Sequence, residues 1–168
     1  MPAELKIFTD GGCAGNPGPG GWAYVIAADR GDGTAAAILA EKWGAEEDTT
    51  NNRMELKAVI AALEAVAGLD GSSVRPASPC PDAVSDRVTV VTDSQYVQKG
   101  ITQWIHKWKK NDWQTSDRKP VKNRDLWERL DHLASDLAPR WVWVRGHAGN
   151  ELNERCDRMT RDAIASLA

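Results

Sequence analysis

The sequence predicts an α/β domain in which a mixed sheet of five strands carries packed helices. Three observations point there. Apolar residues alternate at period two in the first part of the chain, with turn residues between the runs. From Leu56 onward the period lengthens to that of a helix. A long, helix-bearing segment then separates residue 43 from residue 87, which leaves room for a crossover and lets the fourth strand lie parallel to the first.

Taken in order, residues 4–10 (ELKIFTD) read as the first strand. Residues 20–28 (GGWAYVIAA) read as the second, with Trp22, Tyr24 and Ile26 on one face. Residues 29–33 form a turn, and the alanine-rich stretch 34–43 a third strand. Short connections between these three predict an antiparallel meander. Leu56, Val59, Ile60, Leu63, Val66 and Ala67 then fall at helical spacing, with Thr49-Thr50-Asn51-Asn52 as N-cap chemistry and Gly68 as the stop. Residues 68–86 hold three prolines and no apolar period, and read as a mobile loop. Residues 87–92 (RVTVVT) make the fourth strand. Ile101, Trp104, Ile105 and Trp108 mark a short amphipathic helix. Leu126, Leu130, Leu133 and Leu137 mark the next, with Asn123 near its start and Pro139 after it. Residues 140–145 (RWVWVR) form the fifth strand, and Leu152, Cys156, Met159, Ala163 and Leu167 line a final helix. The whole of 1–168 reads as one domain.

Composition is that of an ordinary globular chain, 42% hydrophobic and 27% charged. At 168 residues the chain can bury roughly 70% of its unfolded surface, so no disulfide or structural metal is required for folding. Cys13, Cys80 and Cys156 are odd in number and widely spaced, which argues against a disulfide framework or a zinc site and for a reducing compartment. The N-terminal MPAELKIFTD lacks the pattern of a signal peptide, and no apolar run is long enough to span a bilayer. The expectation is a cytoplasmic protein.

Two predicted strands end alike, in TDG at Asp10 and TDS at Asp93. The glycine-rich stretch after Asp10 admits three readings: a phosphate loop, a hairpin or a metal site. A phosphate loop fits poorly, because the stretch leads into a strand and Pro17 and Pro19 oppose helix entry. In open α/β sheets ligands sit beyond the carboxyl ends of parallel strands, so neighbouring strands would bring Asp10 and Asp93 together. Taken singly, each Asp is equally well a turn residue. Glu55, read in the first helical turn, has an alternative role with the helix dipole, and Asp157 has one as an i,i+4 partner of Arg161. Four acids at one place would repel and raise one another's pKa, so they call for a counter-charge. Hard oxygen ligands without a His/Cys set select Mg²⁺ or Mn²⁺ over zinc. Two such ions can activate water and stabilise the leaving oxygen in phosphodiester hydrolysis. His147, between two glycines in RGHAGN, is a proton carrier when set beside such a site and a solvent-facing side chain otherwise.

Charge is unevenly spread. Net charge is −3, yet residues 99–124 hold eight basic side chains against Asp112 and Asp117. Trp104 and Trp108 share the apolar stripe and read as packing, whereas Lys107, Lys109 and Lys110 must project. Basic groups interleaved with aromatic rings suit a nucleic-acid backbone. A plain solvated face is the alternative.

The stretches IFTDGGCAGNPGPGGW, TTNNRMEL, TDSQYVQKGITQWIHKWKKNDWQTSDRKPVKNRDLW and WVWVRGHAGNELNERCD, in that order, resemble bacterial ribonuclease HI over nearly the whole chain. The resemblance implies a ribonuclease H-like α/β fold: a five-stranded mixed sheet, three antiparallel strands then two parallel, with helices on both faces. It implies an endonuclease for the RNA strand of RNA–DNA hybrids that uses Mg²⁺ and leaves 5′-phosphate and 3′-hydroxyl ends. It further implies two ions in the substrate complex, with Mn²⁺ as an alternative. Asp10, Glu55, Asp93 and Asp157 match the metal-binding acids, and His147 the histidine implicated in proton transfer or product release. Cys13, Asn16, Asn51, Asn52 and Gln95 match positions lining the hybrid. Thr50, Trp104 and Ser116 match contacts to the DNA strand, and Lys107 to Lys110, with Lys109 between them, the basic protrusion within 99–124. No small-molecule cofactor, no membrane and a monomeric state are expected. The longer 68–86 connection and Asn150, where the motif often has His, depart from the pattern. A binding module of the same fold without activity is the competing reading, and the presence of all four acids argues against it.

Overall fold

The computed structural model describes residues 4–29, 36–68, 88–145 and 150–167. Strands β1 (Glu4–Cys13), β2 (Gly18–Asp29) and β3 (Ala37–Thr49) are followed by helix α1 (Asn51–Ala67), strand β4 (Val88–Thr92) and helix α2 (Gln95–Lys99). A π-helical turn (Gly100–Trp104) joins α2 directly to α3 (Ile105–Lys110). Helix α4 (Arg124–Leu137), strand β5 (Arg140–Trp143) and helix α5 (Glu151–Ala165) complete the order.

The five strands form one sheet in the order β3-β2-β1-β4-β5. β1 pairs antiparallel with β2, and β2 with β3; β4 runs parallel to β1, and β5 parallel to β4. This is the mixed sheet the sequence predicts, three antiparallel strands and then two parallel. Boundaries differ from the sequence expectation: β2 starts at Gly18 rather than at residue 20, β5 ends at Trp143 rather than at residue 145, and three further differences have a clear local cause. β1 does not stop at Asp10 but continues to Cys13, because the glycines on both sides let Gly11, Gly12 and Cys13 pair with Trp22, Gly21 and Gly20. The glycine-rich stretch is therefore a hairpin. β3 extends to Thr49 through its ladder with β2. The short helix expected around residues 101–108 begins earlier, at Gln95, where the Ser94 hydroxyl caps it by accepting from the Val97 amide at 3.2 Å. The expected loop at 68–86 lies, after Gly68, outside the described residues, as does most of the 29–33 turn.

Alternation along the strands feeds two cores, one on each face of the sheet. On one face Leu5, Ile7, Tyr24, Ile26 and Val90 pack against Leu56, Val59 and Leu63 of α1 and Trp127, Leu130 and Leu133 of α4. On the other, Phe8, Val25 and Val91 pack against Cys156, with Leu152 and Met159 half-buried beside it. Helices thus cover both faces. The α4 stripe is centred on Trp127 rather than on Leu126 and Leu137, which are only half-buried. Among the described residues no helix is long and apolar enough to cross a membrane.

Candidate active site

The parallel ladder places the first two acids. Its last β1–β4 pair is Phe8 with Val91, so two residues further along each strand stand Asp10 and Asp93, side by side beyond the carboxyl end of the parallel part. The Asp93 turn is held on three sides. The Trp143 indole N–H donates to the Asp93 carbonyl at 3.0 Å. The Ser94 amide donates to the Thr92 hydroxyl at 3.1 Å, and the Val144 amide to the Thr92 carbonyl at 2.9 Å.

Glu55 arrives from α1. That helix starts at Asn51, with the Thr50 hydroxyl accepting from the Arg53 amide at 3.3 Å. Glu55 therefore stands in the second turn rather than the first, and a role with the helix dipole, which fades beyond the first turn, does not apply. What brings it onto Asp10 is Gly11. A Cβ at Gly11 would lie 2.5 Å from the Met54 carbonyl carbon and 2.6 Å from the Glu55 amide nitrogen, so the helix backbone rests directly on the strand. One carboxylate oxygen each from Asp10, Glu55 and Asp93 then lies within 4.8 Å of the others.

Crowding and burial set the electrostatics. Burial first, then the Asp93 and Asp157 charges, pushes Asp10 from 3.8 up to about 7, with the Thr160 side chain and the Gly11 amide partly offsetting the rise. Burial, then Asp10 and Asp93, holds Glu55 well above the usual carboxylate range. Glu55 Oε2 is buried without a hydrogen-bond partner. A buried carboxylate oxygen left unsatisfied is costly, and three converging hard oxygens suit a divalent cation of the Mg²⁺ or Mn²⁺ type.

Asp157 stands at the edge of this group. Its carboxylate pairs with Arg161 at 2.9 Å, the i,i+4 contact open to it from sequence, and at the same time it acts on Asp10. α5 is docked beneath the site by the Cys156 thiol, which donates to the Phe8 carbonyl at 3.3 Å. His147 lies outside the described residues.

The remaining sequence candidates form two groups. The Cys13 amide donates to Asn51 Oδ1 at 2.7 Å and the Asn51 amide to Asn16 Oδ1 at 3.3 Å, so the hairpin tip is tied to the start of α1 beside Thr50 and Asn52. Gln95 is exposed at the start of α2. Trp104, Lys107 and Ser116 line one cleft with Trp108. Lys107, Lys109 and Lys110 all project, and Lys109 meets Asp131 at 3.2 Å. Sequence reasoning missed Gly11 as the close-approach point, Thr160 beneath Asp10, and the contacts of Arg53. The only sequence signal for these was their place inside or beside the quoted motifs, since their partners lie far away in the chain.

Three carboxylates thus converge at the ligand-binding end of this sheet, on a chain that also carries a basic segment. The family model described as RNase H matches residues 2–165. The ribonuclease H of Treponema denticola is 48% identical over 164 residues, covering 98% of this chain and 99% of the relative. That of Dinoroseobacter shibae is 52% identical over 165 residues, covering 98% and 93%. Among solved structures, LC9-RNase H1, a type 1 RNase H with the type 2 active-site motif, is similar with a TM-score of 0.75 at 30% identity, covering 100% of this chain and 75% of that one. LC11-RNase H1 in complex with an RNA/DNA hybrid is similar with a TM-score of 0.62 at 26% identity, covering 98% and 99%. The chain belongs to the RNase H family.

Proposed function

We propose that the protein is a single-domain endonuclease that hydrolyses the RNA strand of RNA–DNA hybrids, leaving 5′-phosphate and 3′-hydroxyl ends. The observation that carries this reading is the convergence of Asp10, Glu55 and Asp93 within 4.8 Å, on a chain of this family. Asp10, Glu55, Asp93 and Asp157 would hold two divalent cations, Mg²⁺ or alternatively Mn²⁺. When bound, such ions supply a water of lowered pKa and charge stabilisation for the leaving oxygen.

The chain's own residues do the rest. Burial and mutual repulsion raise the pKa of Asp10 and Glu55 in the crowded site, and positive charge held there would favour their ionised forms. His147 carries a proton or assists product release. Cys13, Asn16, Asn51, Asn52 and Gln95 approach the RNA strand, whose 2′-hydroxyl distinguishes it from DNA. Thr50, Trp104 and Ser116 meet the DNA strand, and Lys107, Lys109 and Lys110 supply charge for phosphates. The odd, widely spaced cysteines, with Cys13 and Cys156 both free, support a reducing, cytoplasmic setting. We further propose that the protein acts as a monomer.

Incubation with end-labelled hybrid, double-stranded RNA and duplex DNA, in Mg²⁺, Mn²⁺ or EDTA, tests the reading. Cleavage of RNA in the hybrid alone, dependent on the cation, is expected. Asp10→Asn and Asp93→Asn are expected to lose cleavage while retaining fold and hybrid binding. An active Asp10→Asn protein, free of contaminating nuclease, would overturn the assignment of the acids.

A further inference from the structure

The basic segment needs something to hold it in register with the carboxylates. It leaves the sheet after Asp93 and returns to the body of the molecule at Asn123, at the start of α4. At that return point stands Arg53, on α1 two residues before Glu55. Its guanidinium forks: Nη1 donates to Asn123 Oδ1 at 3.2 Å and to Asp125 Oδ1 at 3.1 Å, and Nη2 to Asp125 Oδ2 at 2.9 Å. The Asn123 side-chain amide passes the connection on, donating to the Tyr96 hydroxyl at 3.2 Å. The Trp127 indole N–H donates to the same hydroxyl at 3.0 Å. Tyr96 sits three residues after Asp93, and its ring packs on Trp104 and Trp127 with centroids 5.9 and 5.2 Å away. Asn123 itself is in the left-handed region, φ 61°, a backbone that Asn tolerates better than most residues.

One net of hydrogen bonds therefore ties together the helix that carries Glu55, the helix that follows Asp93, and the far end of the lysine-bearing segment. Asp125 is 65% exposed, so its ion pair adds little to stability. A bidentate guanidinium fork instead fixes direction, because its donors are planar and pre-oriented. A lysine at the same place would keep the charge and lose the fork. Arg53 holds Asn123 and Asp125 with its guanidinium, and its proposed action runs through those groups.

We propose that Arg53 is a positioning residue that sets the basic segment in register with the carboxylate cluster, so that phosphates gripped by the lysines and the bond to be cut are held at a fixed separation. This rests on the hybrid-nuclease reading above.

The test compares wild type, Arg53→Lys, Arg53→Met, the triple variant Lys107→Ala/Lys109→Ala/Lys110→Ala, and the triple variant combined with Arg53→Lys. Each is assayed for kcat and KM on a hybrid with a fixed DNA end, for the positions of the cuts, and for Tm. Arg53→Lys is expected to raise KM roughly tenfold, the size of losing one or two charge-assisted hydrogen bonds. It is also expected to spread the cut positions, with kcat changed far less than KM and Tm nearly unchanged. Arg53→Met serves the same purpose without charge, and Arg53→Lys stands if Arg53→Met does not fold. Because Arg53 acts through the lysine segment, its effect on KM is expected to shrink in the triple background, a non-additivity that a merely structural residue lacks. Unchanged KM and cut positions with a lowered Tm, or full additivity with the triple variant, would overturn the proposal. Failure of the underlying reading looks different: wild type itself would then neither cleave nor bind the hybrid.

Discussion

Asp10 is the residue on which the site's electrostatics converge. In the unfolded chain it ionises near 3.8, and in the native protein near 7. Between those values the native state keeps a proton that the unfolded chain has released, so without divalent cations stability falls as pH rises across that window and levels off above it. The loss amounts to a few kcal/mol, on the order of several degrees of Tm for a domain of this size. In EDTA, Tm of the wild type is expected to fall relative to that of Asp10→Asn as pH goes from about 4 to about 7, the range set by Asp10. Parallel thermal melts check this, and two curves of the same shape would remove Asp10 as the cause. Gly11 acts by what it lacks. A Cβ there would meet the Met54 and Glu55 backbone at 2.5–2.6 Å, whereas at Gly12 the nearest atom is Asn51 Oδ1 at 3.9 Å. Gly11→Ala is expected to cost about 1–3 kcal/mol, through overpacking against backbone that cannot yield, and to weaken divalent binding as Glu55 moves off. Gly12→Ala is the control that leaves Tm in place. Neither effect can be read from a glycine count, because Gly11 and Gly12 are adjacent and alike in sequence and differ only in what lies over them.

Among the elements, β1 explains how one strand serves two ladders. Its parallel pairing with β4 ends at Phe8 while its antiparallel pairing with β2 runs on to Cys13, and Asp10 stands in the gap between the two. The predicted strand boundary at Asp10 reflects the first ladder, and the glycines that follow carry the second. The run from Gln95 to Lys110 is the other instructive element. Apolar spacing marks its middle, at Ile101, Trp104, Ile105 and Trp108, but its start depends on the Ser94 cap and its path on a π-turn beginning at Gly100. A Cβ at Gly100 would lie 2.0 Å from the Trp127 ring, so a tryptophan distant in sequence dictates the glycine. The run ends in Lys107, Lys109 and Lys110, all exposed. Replacing all three with alanine is expected to weaken hybrid binding and flatten its salt dependence. Each neutralised phosphate contributes a slope of about −0.9 on B-DNA, and with Lys109 engaged by Asp131 a change nearer two contacts than three is expected. Binding measured across a salt series decides it, and an unchanged slope would take these lysines out of the substrate path.

At the scale of the whole molecule, the two cores lie on opposite faces of the sheet and the carboxylates lie beyond the end of its parallel part. Folding therefore does not depend on the site being filled. Chelation with EDTA is expected to abolish cleavage while far-UV circular dichroism stays unchanged, and added Mg²⁺ to raise Tm by mass action. A loss of secondary structure in EDTA would contradict that separation. Much of this architecture was legible in the chain. Period-two and period-3.6 patterns, the cap at Thr50, the stop at Gly68 and the repeated Thr-Asp strand ends are local, and local chemistry determines the order of elements, the mixed sheet and the candidate acids. Tertiary structure alone decided which acids converge and how. Asp10, Glu55 and Asp93 meet because of a ladder register and a helix resting on Gly11, whereas Asp157 is shared between Arg161 and the edge of the cluster. It alone also decided that Arg53 reaches Asn123 and Asp125, some seventy residues away. Such contacts join residues remote along the chain, and nothing in the periodicity or composition of one chain encodes which distant side chain will arrive there.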